Sequence, residues 1–264
     1  MEMTEDQIVK IAKALSTKTR VRIVREIIRQ KSITCRDAEK VYHLSQPTIS
    51  HHLKVLFEAG TLETQRDGRF GIVMNSLVSR GISVEFVENR HEALKRVVNL
   101  VPEGATLVTA ASVTLHEIGF IDELKSERHS WRNISAEIRS ENDPEKRALL
   151  RKQSVQADYS IGSVNSIAET GEVVIASGSG SQLSPYLSSK NVIWIAGIQK
   201  IVPTLEDAIR RVREYCPPKV EEAGMKLSGR SGLGEIGKLL IFEKEAAHLN
   251  RNVRLILVNE VLGY

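Results

Sequence analysis

One stretch near the N-terminus constrains the fold more than any other: Leu44-Ser45-Gln46-Pro47-Thr48-Ile49-Ser50-His51-His52-Leu53-Lys54-Val55-Leu56. Ile49, Leu53 and Leu56 fall at i, i+4 and i+7, the apolar stripe of a buried helix. Ser45 stands where an N-cap is wanted, Pro47 lies in the first turn, and Gly60 follows as a stop after Glu58. Off the stripe lie Gln46, Thr48, Ser50, His51 and Lys54. Short or medium polar side chains with one cation and no carboxylate are the set needed to touch base edges and phosphates in a major groove. An ordinary amphipathic helix with a polar outside would share part of this pattern, so the flanking sequence matters.

The flanks agree with a groove reader. Thr4 and Gln7 have capping-box spacing, and Ile8, Ile11, Ala12 and Leu15 continue as a helix. A second helix is predicted over 18–30 with Val21, Val24, Ile27 and Ile28 inward, and a third from the Thr34 cap to Tyr42. After the reading helix, 61–66 and 69–74 are predicted as two short strands around Asp67-Gly68, a hairpin dipeptide. Arg66 and Arg69 would sit at its tip and grip the flanking backbone or minor groove. Four helices and a hairpin outline a winged helix-turn-helix over residues 1–76. That region holds 13 Lys+Arg and 9 Asp+Glu, leaving 24 of each (37−13 and 33−9) for the rest, so the whole +4 excess is N-terminal. A basic excess favours polyanions through counterion release.

Residues 77–264 have a different grammar. Short apolar runs at 83–87, 107–110, 173–176, 192–196, 239–242 and 253–258 read as strands, the middle ones as buried parallel strands. Helical patterns at 92–101, 114–124 and 204–215 alternate with them, the last ended by Cys216-Pro217-Pro218, and 127–144 is polar and poorly periodic. Alternation of this kind implies an open parallel sheet in an α/β domain, so the chain is expected to be an α/β protein of two domains. Ser112 and Thr114 follow a strand and open a helix, where backbone N–H groups and hydroxyls suit an anion. Gly178, Gly180, Ser181 and Gln182 follow another strand; they either wrap an anion or form a plain loop, and they lack the full dinucleotide and P-loop patterns. Glu169 is either a base or nucleophile, and so the candidate catalytic residue, or a solvated capping carboxylate. Lys200 can pair with an anion at the carboxyl end of the sheet, and Asn165 can orient it. Glu243, Lys244 and Glu245 read as a solvated face.

Several classes are excluded or disfavoured. Cys35 and Cys216 are the only cysteines, so no disulfide framework is expected. The start, MEMTEDQIVK, has no signal-peptide pattern, and no run approaches the ~18 apolar residues of a membrane span. A cytoplasmic protein without a membrane partner is the expectation. His116 and His248 are isolated, so no metal and no cofactor are expected.

Two resemblances add to this reading. Ala14-Leu15 and Arg20-Val21-Arg22-Ile23-Val24, the Ser45–Leu56 run, and Ala59-Gly60 with the predicted wing closely resemble the ArsR-type winged-helix repressors. The resemblance implies a homodimer on a double-stranded DNA operator. ArsR-type metal sensors often hold a Cys-x-Cys near the start of the third helix. Here Cys35 is followed by Arg36 and Asp37, and one thiol cannot build a soft-metal site. The usual dimerising helix after the wing also lacks room, because only 75–80 precede the next strand, so the α/β domain is expected to take over dimerisation.

From Leu77 onward the chain resembles the LUD (lactate-utilisation) domain family. The residues that carry it are Glu88-Asn89-Arg90-His91-Glu92-Ala93, Pro102-Glu103-Gly104-Ala105-Thr106, Ser112–Gly119, Ala157-Asp158, Ser163–Gly171, Gly178–Gln182 and Lys200-Ile201-Val202-Pro203. It implies a fold akin to the sugar-phosphate isomerase and CoA-transferase superfamily, and a link to lactate or related carboxylates. With Thr170, from the Glu169 turn, the ligand set is Ser112, Thr114, Asn165, Glu169, Thr170, Gly178, Gly180, Ser181, Gln182 and Lys200. Two functions stand: a DNA-binding regulator that senses a small carboxylate or phosphorylated metabolite, favoured over a lactate-utilisation enzyme or accessory subunit with an autoregulatory DNA-binding domain.

Overall fold

In the computed structural model of the chain, Thr4 opens helix α1 (Glu5–Ala14) as its capping spacing predicts. Its hydroxyl accepts from the Gln7 N–H at 3.3 Å, and the Gln7 side-chain oxygen accepts from the Thr4 N–H at 2.9 Å. The structure describes residues 4–30, 38, 41, 42, 44–61, 69–126, 128–228 and 234–264. By contact the chain divides into two units, Met1–Ile72 and Val73–Tyr264.

In the first unit α1, α2 (Lys18–Gln30) and α3 (Gln46–Glu58) enclose a small core of Ala14, Ile23, Ala38, Ile49 and Leu56. Ile28, expected inward, is 74% exposed. Ile23 and Ile27 carry the buried stripe at i, i+4, and Ile28 stands about 100° off it. Most of the third predicted helix lies outside the described residues; Ala38, Val41 and Tyr42 are helical, and the Tyr42 hydroxyl donates to the Arg22 carbonyl at 3.1 Å.

Residues 62–68, with most of the first hairpin arm and its turn, lie outside the described residues. The second arm is not a strand. Residues 69–79 form helix α4 (Arg69–Ser79). Val73 and Leu77, four apart, are both fully buried, while Ile72 and Val78 are exposed. That is helical, not alternating, spacing, and it removes Arg69 from a hairpin tip.

The second unit is built on a six-stranded sheet in the order β1-β10-β7-β4-β2-β3, with every neighbour parallel. The strands are β1 (Ser83–Val87), β2 (Thr106–Thr109), β3 (Arg132–Asn133), β4 (Tyr159–Ser163), β7 (Asn191–Gly197) and β10 (Asn252–Val258). Helices α5 (Arg90–Leu100), α6 (Val113–Glu117) and α7 (Phe120–Lys125) bring Ala93, Val97, Leu115 and Phe120 onto one face, against Leu107, Ile161, Ile193 and Ile256. On the other face lie α8 (Ile134–Ser140), α9 (Pro144–Ser154) and α10 (Leu183–Ser188), with Ile134 packed on Val108, and Tyr186 edge-on to Trp194. Asp143 caps α9 with its carboxylate, accepting from the Glu145 and Lys146 N–H groups.

The expected helix 114–124 is two helices, because Gly119 adopts φ +82 between α6 and α7. A second sheet, β8-β5-β6-β9, comprises β5 (Ser166–Ala168), β6 (Val173–Ser177), β8 (Ile201–Val202) and β9 (Lys238–Phe242). The 173–176 strand, expected to be parallel, pairs antiparallel with both β5 and β9. It is buried by a second layer, so its apolar run did not report its direction.

The two prolines after Cys216 do not end the helix. α11 (Leu205–Arg210) runs through a π-turn, Arg211–Tyr215, into α12 (Cys216–Ser228). Pro217 and Pro218 fall in the first turn after that widened segment, where missing N–H groups cost little. Nor is the 243–245 stretch solvated throughout. Glu245 is 5% exposed and pairs with Arg251 at 3.3 Å, while the Arg80 guanidinium donates to Glu243 at 3.0 Å.

Candidate DNA-reading helix and polar centres

The candidate reading helix α3 is held at both ends by main-chain hydrogen bonds. The Ile49 N–H donates to the Ser45 carbonyl at 3.0 Å, and the Ser45 and Thr48 hydroxyls bond at 2.9 Å. At the far end Gly60 adopts φ +69, and the Thr61 N–H reaches back to the Leu56 carbonyl at 3.0 Å, a Schellman closure. Ile49 and Leu56 are fully buried, and Thr48 and His51 are exposed. Gln46, Ser50 and Lys54 lie on the same helix, their side chains outside the described residues, as are Arg66 and the side chain of Arg69. His52 points the other way: its Nδ1 is buried without a partner among the described residues. Burial, then the charges of Arg20 and His51, push its pKa down, so it packs as a neutral ring.

In the second unit the structure joins two of the predicted ligand residues directly. The Lys200 Nζ donates to Thr114 Oγ1 at 3.2 Å, to Ser163 Oγ at 2.9 Å and to the Val164 carbonyl at 3.0 Å. Lys200 is 2% exposed, and no carboxylate touches its amine among the described residues. Burial, reinforced by the Arg211 charge, brings its pKa down to about 7, against the opposing pull of Cys216 and Glu117. Thr114 arrives through Ser112, which caps α6 by accepting from the Leu115 N–H at 3.3 Å. The segment after β10 closes this centre. Gln199 Nε2 donates to the Leu262 carbonyl at 2.7 Å, and the Gly263 N–H donates to Glu117 at 2.6 Å. A Cβ at Gly263 would lie 2.3 Å from Thr114 Oγ1, so only glycine allows this approach. Sequence reasoning did not single out Ser163, Glu117, Arg211 or Gly263 as site residues; Ser163 and Glu117 fall inside the motifs that carry the LUD resemblance, and nothing local marks Arg211 and Gly263.

The other expected ligand residues go elsewhere. Asn165 uses its side-chain oxygen to accept from the Ala176 N–H at 2.9 Å, tying β5 to β6. The half-buried Glu169 donates its N–H to the Val202 carbonyl, and the Thr170 carbonyl accepts from Arg80 at 2.8 Å. Both belong to a turn held by the Arg80–Glu172 ion pair. Gly178 and Gly180 pack against Gly237 and the stem of Lys238. Ser181 and Gln182 instead line a cavity of about 210 Å³ with Thr109, Ser135, Arg139 and Ser160. Ser160 and Ser163 differ by an odd step along β4, so this cavity and the Lys200 centre lie on opposite faces of the strand. Among the described residues no group of His, Cys, Asp and Glu has a metal-binding arrangement, and no helix is long and apolar enough to cross a membrane.

A helix-turn-helix unit joined to a parallel α/β unit is the class that this fold defines. The chain belongs to the LUD domain family, matched over residues 72–257, and its N-terminal unit matches the arsR family of bacterial regulatory proteins over residues 17–64. An uncharacterized HTH-type transcriptional regulator of Bacillus subtilis, YceK, is 35% identical over 71 residues, 26% of this chain and 71% of that protein. The transcriptional repressor SdpR of the same organism is 33% identical over 60 residues, 23% of this chain and 66% of its own length. Among solved structures, a DUF162 family protein from Deinococcus radiodurans superposes at TM-score 0.44 with 10% identity, covering 74% of this chain and 98% of that one. Ribose 5 phosphate isomerase A from Neisseria gonorrhoeae superposes at TM-score 0.34 with 14% identity, covering 66% and 94%.

Proposed function

We propose that this protein is a DNA-binding transcriptional regulator whose LUD unit senses a small anionic metabolite, a carboxylate or a phosphorylated compound. The observation that carries the reading is helix α3. Ile49 and Leu56 are sunk in the core, and Thr48 and His51 face outward on a helix closed at its C-terminal end by Gly60 and Thr61. The surrounding unit holds the chain's entire basic excess. A second copy would provide the two-fold reader that a palindromic operator requires. Ile8, Val9 and Ile28, apolar yet at least half exposed on α1 and α2, support a homodimer. The ligand acts by favouring one of two DNA-binding states, which requires different affinities for the two.

The test is fluorescence anisotropy on the DNA upstream of the protein's own coding sequence, at two salt concentrations, with and without lactate and related acids. Tight, salt-sensitive binding is expected. Lys54→Ala should weaken binding on every sequence and flatten the log–log salt slope by about 0.9, one phosphate contact. Gln46→Ala should relax base preference instead. Binding that neither substitution changes would refute the placement of the reading helix.

A further inference from the structure

We propose that the cavity between β2, β4, α8 and α10 is the binding site for a small oxyanion, with Arg139 as its counter-charge and Ser160 as the hydroxyl at its floor. The inference rests on the reading of the LUD unit as an anion sensor and gives it a place away from Lys200.

Three observations converge on this cavity. First, its walls are cationic and polar without any carboxylate: Arg139, Ser160, Ser181 and Gln182 line it, beside the apolar Ile138 and Tyr186. Second, Arg139 is an exposed guanidinium with no hydrogen bond or ion pair among the described residues. Its helix neighbour Glu137 is held two-pronged by Arg132 at 2.8 Å, and Glu141 accepts from the Asp143 N–H at 2.9 Å. The acids that would neutralise Arg139 are committed elsewhere. A free planar fork of donors is suited to carboxylate or phosphate. Third, Ser160 is out of place in its layer. It pairs in register with Val108 on one side and Val192 on the other, and it is 2% exposed. Its hydroxyl has no hydrogen bond among the described residues. A serine between two valines in a buried strand leaves a donor and an acceptor open, and a ligand in the cavity would satisfy them.

Size limits the ligand. At ~30 Å³ of liquid volume per water, 210 Å³ holds about seven waters, so the bound part has about seven heavy atoms. The Lys200 centre, by contrast, is filled: its amine already spends three donors on Thr114, Ser163 and Val164, and Gly263 closes over it. An anion entering there would have to displace chain, whereas the cavity is open.

The test is isothermal titration calorimetry on the full chain with L-lactate and acetate in one arm, and inorganic phosphate and glycerol 3-phosphate in the other. Saturable binding in one arm names the source of the oxyanion. Arg139→Gln should weaken that binding more than tenfold without moving the melting temperature, since Arg139 is exposed and unpaired. Ser160→Ala should weaken it severalfold, and Lys200→Met should leave it within about twofold. Equal affinity in Arg139→Gln, a loss confined to Lys200→Met, or no binding in either arm would overturn the proposal. Operator binding is measured separately without ligand. If DNA binds and no oxyanion does, the cavity inference alone falls; if Arg139-dependent binding occurs without DNA binding, the regulator reading alone falls.

Discussion

On α3, Thr48 and His51 face solvent while Ile49 and Leu56, in the same turns, are fully buried. In the second unit Thr114 and Lys200 are 1% and 2% exposed, come from α6 and the turn after β7, and meet only because β2, β4 and β7 are neighbours. The first arrangement is set by helical period, and one short segment contains all of it. The second is set by strand order, and no segment contains it. A surface site of the first kind can change without disturbing the core beneath. In the second kind the polar groups are the core, so altering one alters stability with it.

The sharpest way to break this contrast is at Gly162. A Cβ there would lie 1.7 Å from the Tyr186 hydroxyl oxygen, and Tyr186 is itself pinned edge-on against Trp194. Gly162→Val should destabilise the second unit by more than about 4 kcal/mol. Both tryptophans, Trp131 and Trp194, belong to that unit, so urea unfolding followed by tryptophan fluorescence reads it alone. A midpoint near that of the parent protein would mean that Tyr186 is not held where it is placed.

Next in size is Ile49→Ala, which should cost the first unit about 2–5 kcal/mol. DNA binding should fail while the tryptophan-monitored transition stays put. An equal shift in that transition would show that the two units unfold as one.

The effect at Lys200 is the smallest for any single step of pH, and it accumulates across the alkaline range. Its folded pKa, about 7, lies below the ordinary 10.5. Between those values the unfolded chain binds a proton that the native state lacks, so stability rises with pH there; below about pH 7 both states are protonated and the burial penalty is complete. The rise should approach about 1.4 kcal/mol per pH unit between about pH 7 and pH 10. Lys200→Met should remove that part of the slope. Identical slopes in the two proteins would show that the amine is already ordinary in the folded state.

The same contrast explains what could be read beforehand. The capping box at Thr4, the reading helix and the apolar strands at 192–196 and 253–258 were legible because each is a local pattern of caps, period or run. The second hairpin arm was misread because 69–74 is apolar enough to suit either structure, and only the burial of both Val73 and Leu77 settles it as a helix. Strands β4 and β5 went unseen: Tyr159-Ser160-Ile161-Gly162-Ser163 has no apolar run, since its residues are chosen for what they touch across the sheet. Of the expected ligand residues, Thr114 and Lys200 converge. Asn165 is placed apart from them, bonded to the Ala176 N–H, and Gly178 and Gly180 lie against Gly237 and Lys238, because short-range chemistry does not say which face of a strand a side chain will take.

The pairing of β1 with β10, Ser83 against Arg254, also has a consequence in time. β10 stands between β1 and β7, so the sheet stays split until the last strand leaves the ribosome. At roughly 5–20 residues per second, making residues 73–258 takes about 10–40 s. The helical unit, with short-range contacts, can fold well inside that interval. A nascent chain would therefore carry a finished helix-turn-helix unit before its α/β sheet is closed, and stalled or truncated products would hold the first unit without a complete second one.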